Sequence, residues 1–179
     1  DYLKEGIAHT LDETRNLSDS GQFEDISLQQ GIRQILYPYE EMEVLNPEWE
    51  VILKDIIDSL FEQMSDEEYN ILNEEFGTYM VSRAYEYRQL LEYLVFRYFA
   101  KSIYDYDFLG KCQMLVTNFF VIRQMDIIRW LDNHREYSFK DRMDVVHIFS
   151  RQVEYSEDNI ENLYEDFIFD DIFKTDSLI

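Results

Sequence analysis

Apolar residues recur along most of this 179-residue chain at intervals of three and four, the spacing of one face of an α-helix. The clearest run is Trp49, Ile52, Leu53, Ile56, Ile57, Leu60 and Phe61. Asn46 precedes it as a cap, Pro47 sits where a missing N–H costs nothing, and Glu48 and Glu50 suit the positive end of the helix dipole. Upstream, Leu3, Ile7 and Leu11 mark a thin stripe over 2–15, and NLSDSGQ (16–22) reads as a loop. Leu28, Ile32, Ile35 and Leu36 mark a helix over about 27–37, opened by a Ser27–Gln30 capping box and stopped by Pro38. Ser65 and Glu68 form a second box ahead of Tyr69, Leu72 and Phe76, with a break near Gly77.

A longer helix is predicted over 83–104, with Leu91, Leu94, Val95, Tyr98 and Phe99 as its core face. YDYD (104–107) reads as a turn with Asp107 as a cap, and 108–131 is apolar nearly all round, so other helices must surround it. After the loop DNHREYS (132–138), Ser138 and Asp141 open a helix carrying Met143, Val146, Phe149 and Val153. Ser156 opens the last one, with Ile160, Leu163, Tyr164, Phe167 and Ile168. No stretch alternates with period two over the length of a strand. The pattern therefore predicts an all-α fold, a single compact bundle of about seven or eight helices packed around 83–131. It divides into a short helical N-terminal arm over 1–40 and a bundle domain over 41–179.

Composition agrees with helices: 5 Gly and 2 Pro leave few turns, while 14 Tyr and 13 Phe supply the bulk of a core. Charge narrows the partners. At a net charge of −22, neither a phosphate backbone nor an anionic membrane surface is a natural target, whereas a basic protein surface is. The charge is uneven: residues 83–151 hold 11 Lys and Arg against 9 Asp and Glu, leaving −24 for the rest. A single Cys112 excludes an internal disulfide, and there is no signal peptide, so a cytoplasmic location is expected. The run MLVTNFFVI (114–122) ends at Arg123, well short of the ~20 residues a membrane span needs. The chain opens on Asp1 rather than Met, which points to a portion of a longer protein.

Familiar chemistry is missing. The five glycines are isolated, so there is neither a dinucleotide fingerprint nor a P-loop, and no nucleophile elbow exists. One Cys and three distant His cannot build a structural zinc site. Asp144 and His147 repeat only part of a di-iron pattern and read as a surface pair; Cys112 reads as a small core hydrophobe. No catalytic residue is assigned and no metal is expected. One feature is left: Tyr93, Arg97, Lys101 and Tyr104 share a helical face, two cations a turn apart among aromatic residues. Two readings stay open. A carboxylate from another helix neutralises Arg97 while Lys101 snorkels outward, or the face is an anion site able to take a cofactor's carboxylate.

That stripe lies within EYLVFRYFAKSIYDYDFLGK (92–111). Together with VIRQMDIIRWL (121–131) and FSRQVEYSEDNIENL (149–163), it resembles the C-terminal part of the flagellin lysine-N-methylase family. The resemblance spans about 83–169 and implies an S-adenosylmethionine-dependent protein that methylates lysines of flagellin, or of another lysine-bearing protein, in motile bacteria. Members carry an N-terminal cysteine-rich segment that holds a metal or iron–sulfur centre. Cys112 is the only cysteine here, so that chemistry is expected in a part this chain lacks. No catalytic residue carries over by position. The alternative is a non-catalytic acidic helical module that binds a basic protein partner. A ligand-sensing domain of a transcription regulator ranks below both, because no recognition helix is visible.

Overall fold

The computed structural model describes residues 26–105 and 107–169, and those residues form helices and no strand. In chain order they are α1 (Leu28–Glu40), α2 (Pro47–Ile56), α3 (Asp66–Met80), α4 (Ala84–Arg97), the four-residue α5 (Ser102–Asp105), α6 (Phe108–Asp132), α7 (Phe139–Phe149) and α8 (Glu157–Phe169). Two helices end in π-helical turns, α2 over Ile57–Glu62 and α7 over Ser150–Glu154. A 3-10 turn, Val81–Arg83, runs α3 directly into α4. With α3 and α4 counted as one rod, since the Val81–Arg83 turn joins them without a gap, and α5 left out, the described residues hold six helices, fewer than the seven or eight expected.

α6 is the axis. It packs against α1, α2, α4, α7 and α8, as its all-round apolar character requires. Met114, Val121, Met125 and Ile127 on it are fully buried. At one end of the core Tyr39, Trp49 and Phe149 stack in series, with ring centroids 6.4 and 6.3 Å apart, and tie α1 to α2 and α7. At the other end Phe76 meets Trp130 at 5.4 Å and Tyr137 at 6.2 Å.

Several boundaries differ from the pattern. α1 continues past Pro38 to Glu40, because the proline ring and Tyr39 are both buried and the Tyr39 hydroxyl donates to Asn118 Oδ1 at 2.6 Å. α3 runs through Gly77 to Met80, held by buried Phe76 and Met80 on either side. The helix expected over 83–104 breaks at Tyr98, and its buried stripe is Leu90, Leu94 and Tyr98. Leu91 and Val95 of the expected core face are instead 36% and 42% exposed. The stripe begins at buried Glu86, a residue that a hydrophobic pattern reads as surface. α7 behaves alike: buried Arg142 opens the inner face with Val145 and Phe149, and Met143 faces outward.

Polar side chains set the π-helical turns. Gln29 Nε2 donates to Leu60 O at 2.5 Å and Met64 O at 2.9 Å, taking up carbonyls at the end of α2. Gln152, in the second π-helical turn, accepts from Leu45 N and Asn46 N and donates to Glu43 O, pinning the loop between α1 and α2. In the expected N-terminal arm, α1 buries Ile32, Ile35, Leu36 and Tyr39, while the 2–15 stripe lies outside the described residues. The side chains of Phe167 and Ile168 lie outside them too.

Candidate functional site

The end of α4 meets the π-helical turn after α7, and this brings part of the aromatic, cationic stripe together with a carboxylate. Glu154, its side chain 5% exposed, is the centre. Its Oε2 accepts from the Tyr93 hydroxyl at 2.8 Å and from Ser150 Oγ at 2.5 Å. Its Oε1 accepts from the Tyr98 hydroxyl at 3.2 Å and stands 3.9 Å from Arg97 Nε. Arg97 also donates from Nη2 to Glu154 O at 3.2 Å and lies over the Tyr98 ring. Burial and the adjoining Glu154 push the Tyr93 hydroxyl up to about 12, and Tyr98 is raised for the same reasons. Tyr104 is 85% exposed on α5, beyond the break at Tyr98, and shares no continuous helical face with Arg97. The side chain of Lys101 lies outside the described residues. Arg97 thus has a carboxylate partner from another helix, while Glu154 was not singled out by the sequence pattern.

A second polar cluster, also not singled out, lies deeper, between α4, α6 and α7. Asp126 is fully buried on α6. Its Oδ2 accepts from Arg142 Nη1 at 2.5 Å and the Tyr87 hydroxyl at 2.8 Å, and its Oδ1 from the Tyr137 hydroxyl. Arg142 also lies 4.2 Å from the centre of the Tyr87 ring, with its Nε 3.6 Å from Glu86 Oε2. Glu86 in turn accepts two hydrogen bonds from Arg83, at 2.7 and 2.9 Å, and Arg83 donates to Tyr137 O. Two carboxylates and two guanidiniums therefore balance inside the bundle. Burial lifts the Asp126 carboxyl, opposed by Arg142 and by the two hydroxyls. Burial lifts the Tyr87 and Tyr137 hydroxyls as well, reinforced by Asp126. Enclosed among the helices, these groups fasten them together, although Arg142 Nε and Nη2 find no hydrogen-bond acceptor; a general acid or base needs one face open to substrate.

Both clusters fall within the segments that carry the family resemblance or beside them, and the whole chain, residues 1–179, matches the family model for the FliB lysine N-methylase C-terminal domain. The chain belongs to that family. No curated protein and no solved structure matches it. Among the described residues, this FliB C-terminal domain brings no three His, Cys, Asp or Glu side chains together as a metal site. Cys112 is half-buried, with its thiol raised by burial and by the Asp107 carboxylate. Asp144 pairs with Lys140 at 2.8 Å and His147 is exposed. No described helix is long and apolar enough to cross a membrane.

Proposed function

We propose that this domain holds a lysine-bearing protein, flagellin in the first instance, for S-adenosylmethionine-dependent methylation of its lysine side chains. Membership of the FliB family across the whole chain carries the reading. The charge supports it: a protein with 38 Asp and Glu against 16 Lys and Arg presents a field that draws in a cationic segment. Carboxylates crowd the starts of α3 (Asp66, Glu67, Glu68) and α8 (Glu157, Asp158). One cysteine and no clustered ligands among the described residues do not fit a metal or iron–sulfur centre, so no step is routed through one.

The test is binding of purified flagellin to the 179-residue chain at low and high ionic strength. Binding that weakens steeply as salt rises is expected, since surface charges are screened over about 10 Å at 0.1 M. Salt-insensitive binding, or none, overturns the reading.

A second reading, a non-catalytic acidic module for a basic partner, is favoured by one observation: the buried charges of Asp126, Glu86, Arg142 and Glu154 are all met by partners within the fold. Comparing methyl transfer to flagellin by the intact methylase with and without this domain separates the two. Full activity without the domain supports the second; lost activity supports the first.

A further inference from the structure

The helices packed around α6 leave one of its sides open. Phe108, Leu109 and Val116 on that side are 60%, 50% and 39% exposed, and Cys112, Phe119 and Phe120 are half-buried. At about 3.6 residues per turn these six form one stripe, while Met114, Thr117, Asn118 and Val121 face the core. Over 108–122 the one charged residue is Lys111, which is buried with its amine 3.9 Å from the centre of the Tyr164 ring. α4 widens the face. Tyr87 packs edge-on against Phe119, with ring centroids 5.6 Å apart, and Leu91 and Val95 on the following two turns are 36% and 42% exposed. Phe99 meets Phe108 at 4.8 Å beyond them.

A helix that is apolar nearly all round is stable when other helices surround it, and no described helix covers this side. The open apolar area is on the order of 600 Å², taking roughly 150–250 Å² for a whole aromatic side chain and less for Leu and Val. That is at the top of what a monomer exposes, and two such faces together supply about 1,200 Å², the lower end of a specific interface. Charge selects the occupant. Each copy of the chain carries −22, yet residues 83–151, which contain this face, hold 11 Lys and Arg against 9 Asp and Glu. Two copies repel through their acidic remainders, so this near-neutral section is where they can meet. A basic partner is drawn to the acidic remainder instead, because the stripe offers it no carboxylate.

The stripe is also complementary to itself. It reads bulky, small, small, bulky: Phe108 and Leu109 at one end, Cys112 and Val116 in the middle, Phe119 and Phe120 at the other. From this we propose that two copies of the chain pair through this face, α6 against α6, antiparallel about a two-fold axis between Cys112 and Val116. Such an axis sets Cys112 of each copy beside Val116 of the other and Leu109 beside Phe119, and the small central side chains let the helices approach closely. The pairing uses none of the acidic helix starts that draw in a cationic segment, so it stands without the methylase reading.

Sedimentation velocity of the 179-residue chain over about 1–100 μM, at low and high ionic strength, tests it. A dimer that grows with concentration and with salt is expected, because salt screens the repulsion between the acidic remainders and leaves the apolar contact. Binding of flagellin through surface charge has the opposite salt dependence, so the two readings fail separately. Val116→Glu places a charge on each side of the axis and is expected to weaken the dimer about tenfold or more. Leu109→Glu, at a more exposed position, does the same and decides the matter if the first variant does not fold, with the melting temperature as the check. Phe139→Glu, 63% exposed at the start of α7, leaves the dimer unchanged. A chain that stays monomeric under all these conditions overturns the proposal. If its Leu109→Glu variant also melts earlier, a segment of the same chain covers the face; if it melts as before, the face belongs to a different partner. A dimer that dissociates as salt rises, or that both glutamate variants on the stripe leave intact, overturns the proposal as well.

Discussion

Asp126 shows what a single side chain contributes here. Removing one partner of a buried ion pair leaves the other charge uncompensated, which costs about 3–5 kcal/mol, whereas replacing both with apolar groups is often near neutral. Arg142 already has Nε and Nη2 without hydrogen-bond partners, so it depends on Asp126. Asp126→Asn should therefore lower the free energy of urea unfolding by about 3 kcal/mol or more, and the double change Asp126→Leu with Arg142→Met should recover most of that. A loss below about 1 kcal/mol would show that the cluster does not fasten the helices. Arg97→Ala should cost only about 1 kcal/mol or less in the same assay, because its side chain is 30% exposed and its nearest carboxylate contact is 3.9 Å. Arg97 and Tyr93 were legible in the sequence, since a cation among aromatic residues needs an explanation. Their acceptor was not: Glu154 lies 57 residues from Arg97, and one sequence does not show which helices face each other. Asp126 left a readable signal, a lone carboxylate inside VIRQMDIIRWL that burial obliges to pair.

At the scale of an element, two glycines make opposite predictions. Gly77 lies within α3, and a Cβ there would meet no atom within 4 Å. Gly77→Ala should raise stability by about 0.5–1 kcal/mol by lowering the entropy of the unfolded chain. Gly110 lies in the first turn of α6, where a Cβ would run into the Asp107 carboxylate whose Oδ1 accepts the Gly110 N–H at 2.9 Å. Gly110→Ala must move that cap, a loss of about 1 kcal/mol that offsets the same gain. Paired thermal melts check both; a Gly77→Ala chain no more stable than the parent would mean that α3 is interrupted there. Helix starts were legible because caps are local. Ser27, Asn46, Ser65, Asp107 and Ser138 all accept hydrogen bonds from the first turns they precede, as their sequences imply. Helix ends were less so. Pro38 and Gly77 interrupt a propensity pattern, but the burial of Tyr39, Phe76 and Met80 outweighs them. Glu86 and Arg142 shifted the apparent inner faces of α4 and α7, because a buried pair looks like surface until its partner is known. The π-helical turns depend on Gln29 and Gln152, contacts made across the fold.

The whole molecule combines a charge of −22 with a core held by tyrosine hydroxyls, and that combination makes it sensitive to alkali. Tyr39, Tyr69, Tyr87, Tyr93, Tyr98 and Tyr137 are all raised above the ordinary tyrosine value of 10, with burial as the leading cause. Tyr69 and Tyr93 reach about 12. The folded chain therefore keeps protons that the unfolded chain releases above pH 10, so the unfolded state binds fewer protons and stability falls as pH rises. The contribution is fully present below pH 10 and is lost from there through pH 12 and beyond, at up to about 1.4 kcal/mol per pH unit for each fully buried group. Tyr93, 43% exposed, contributes less. Each phenolate formed also adds negative charge to a chain that already repels itself, which steepens the fall. Urea midpoints measured from pH 9 to 12 should drop above pH 10, and tyrosinate absorbance should rise in step with loss of the helical circular dichroism signal. If that absorbance rises to its full value while the helices persist, the hydroxyls are open to water and the tyrosine-held core is refuted.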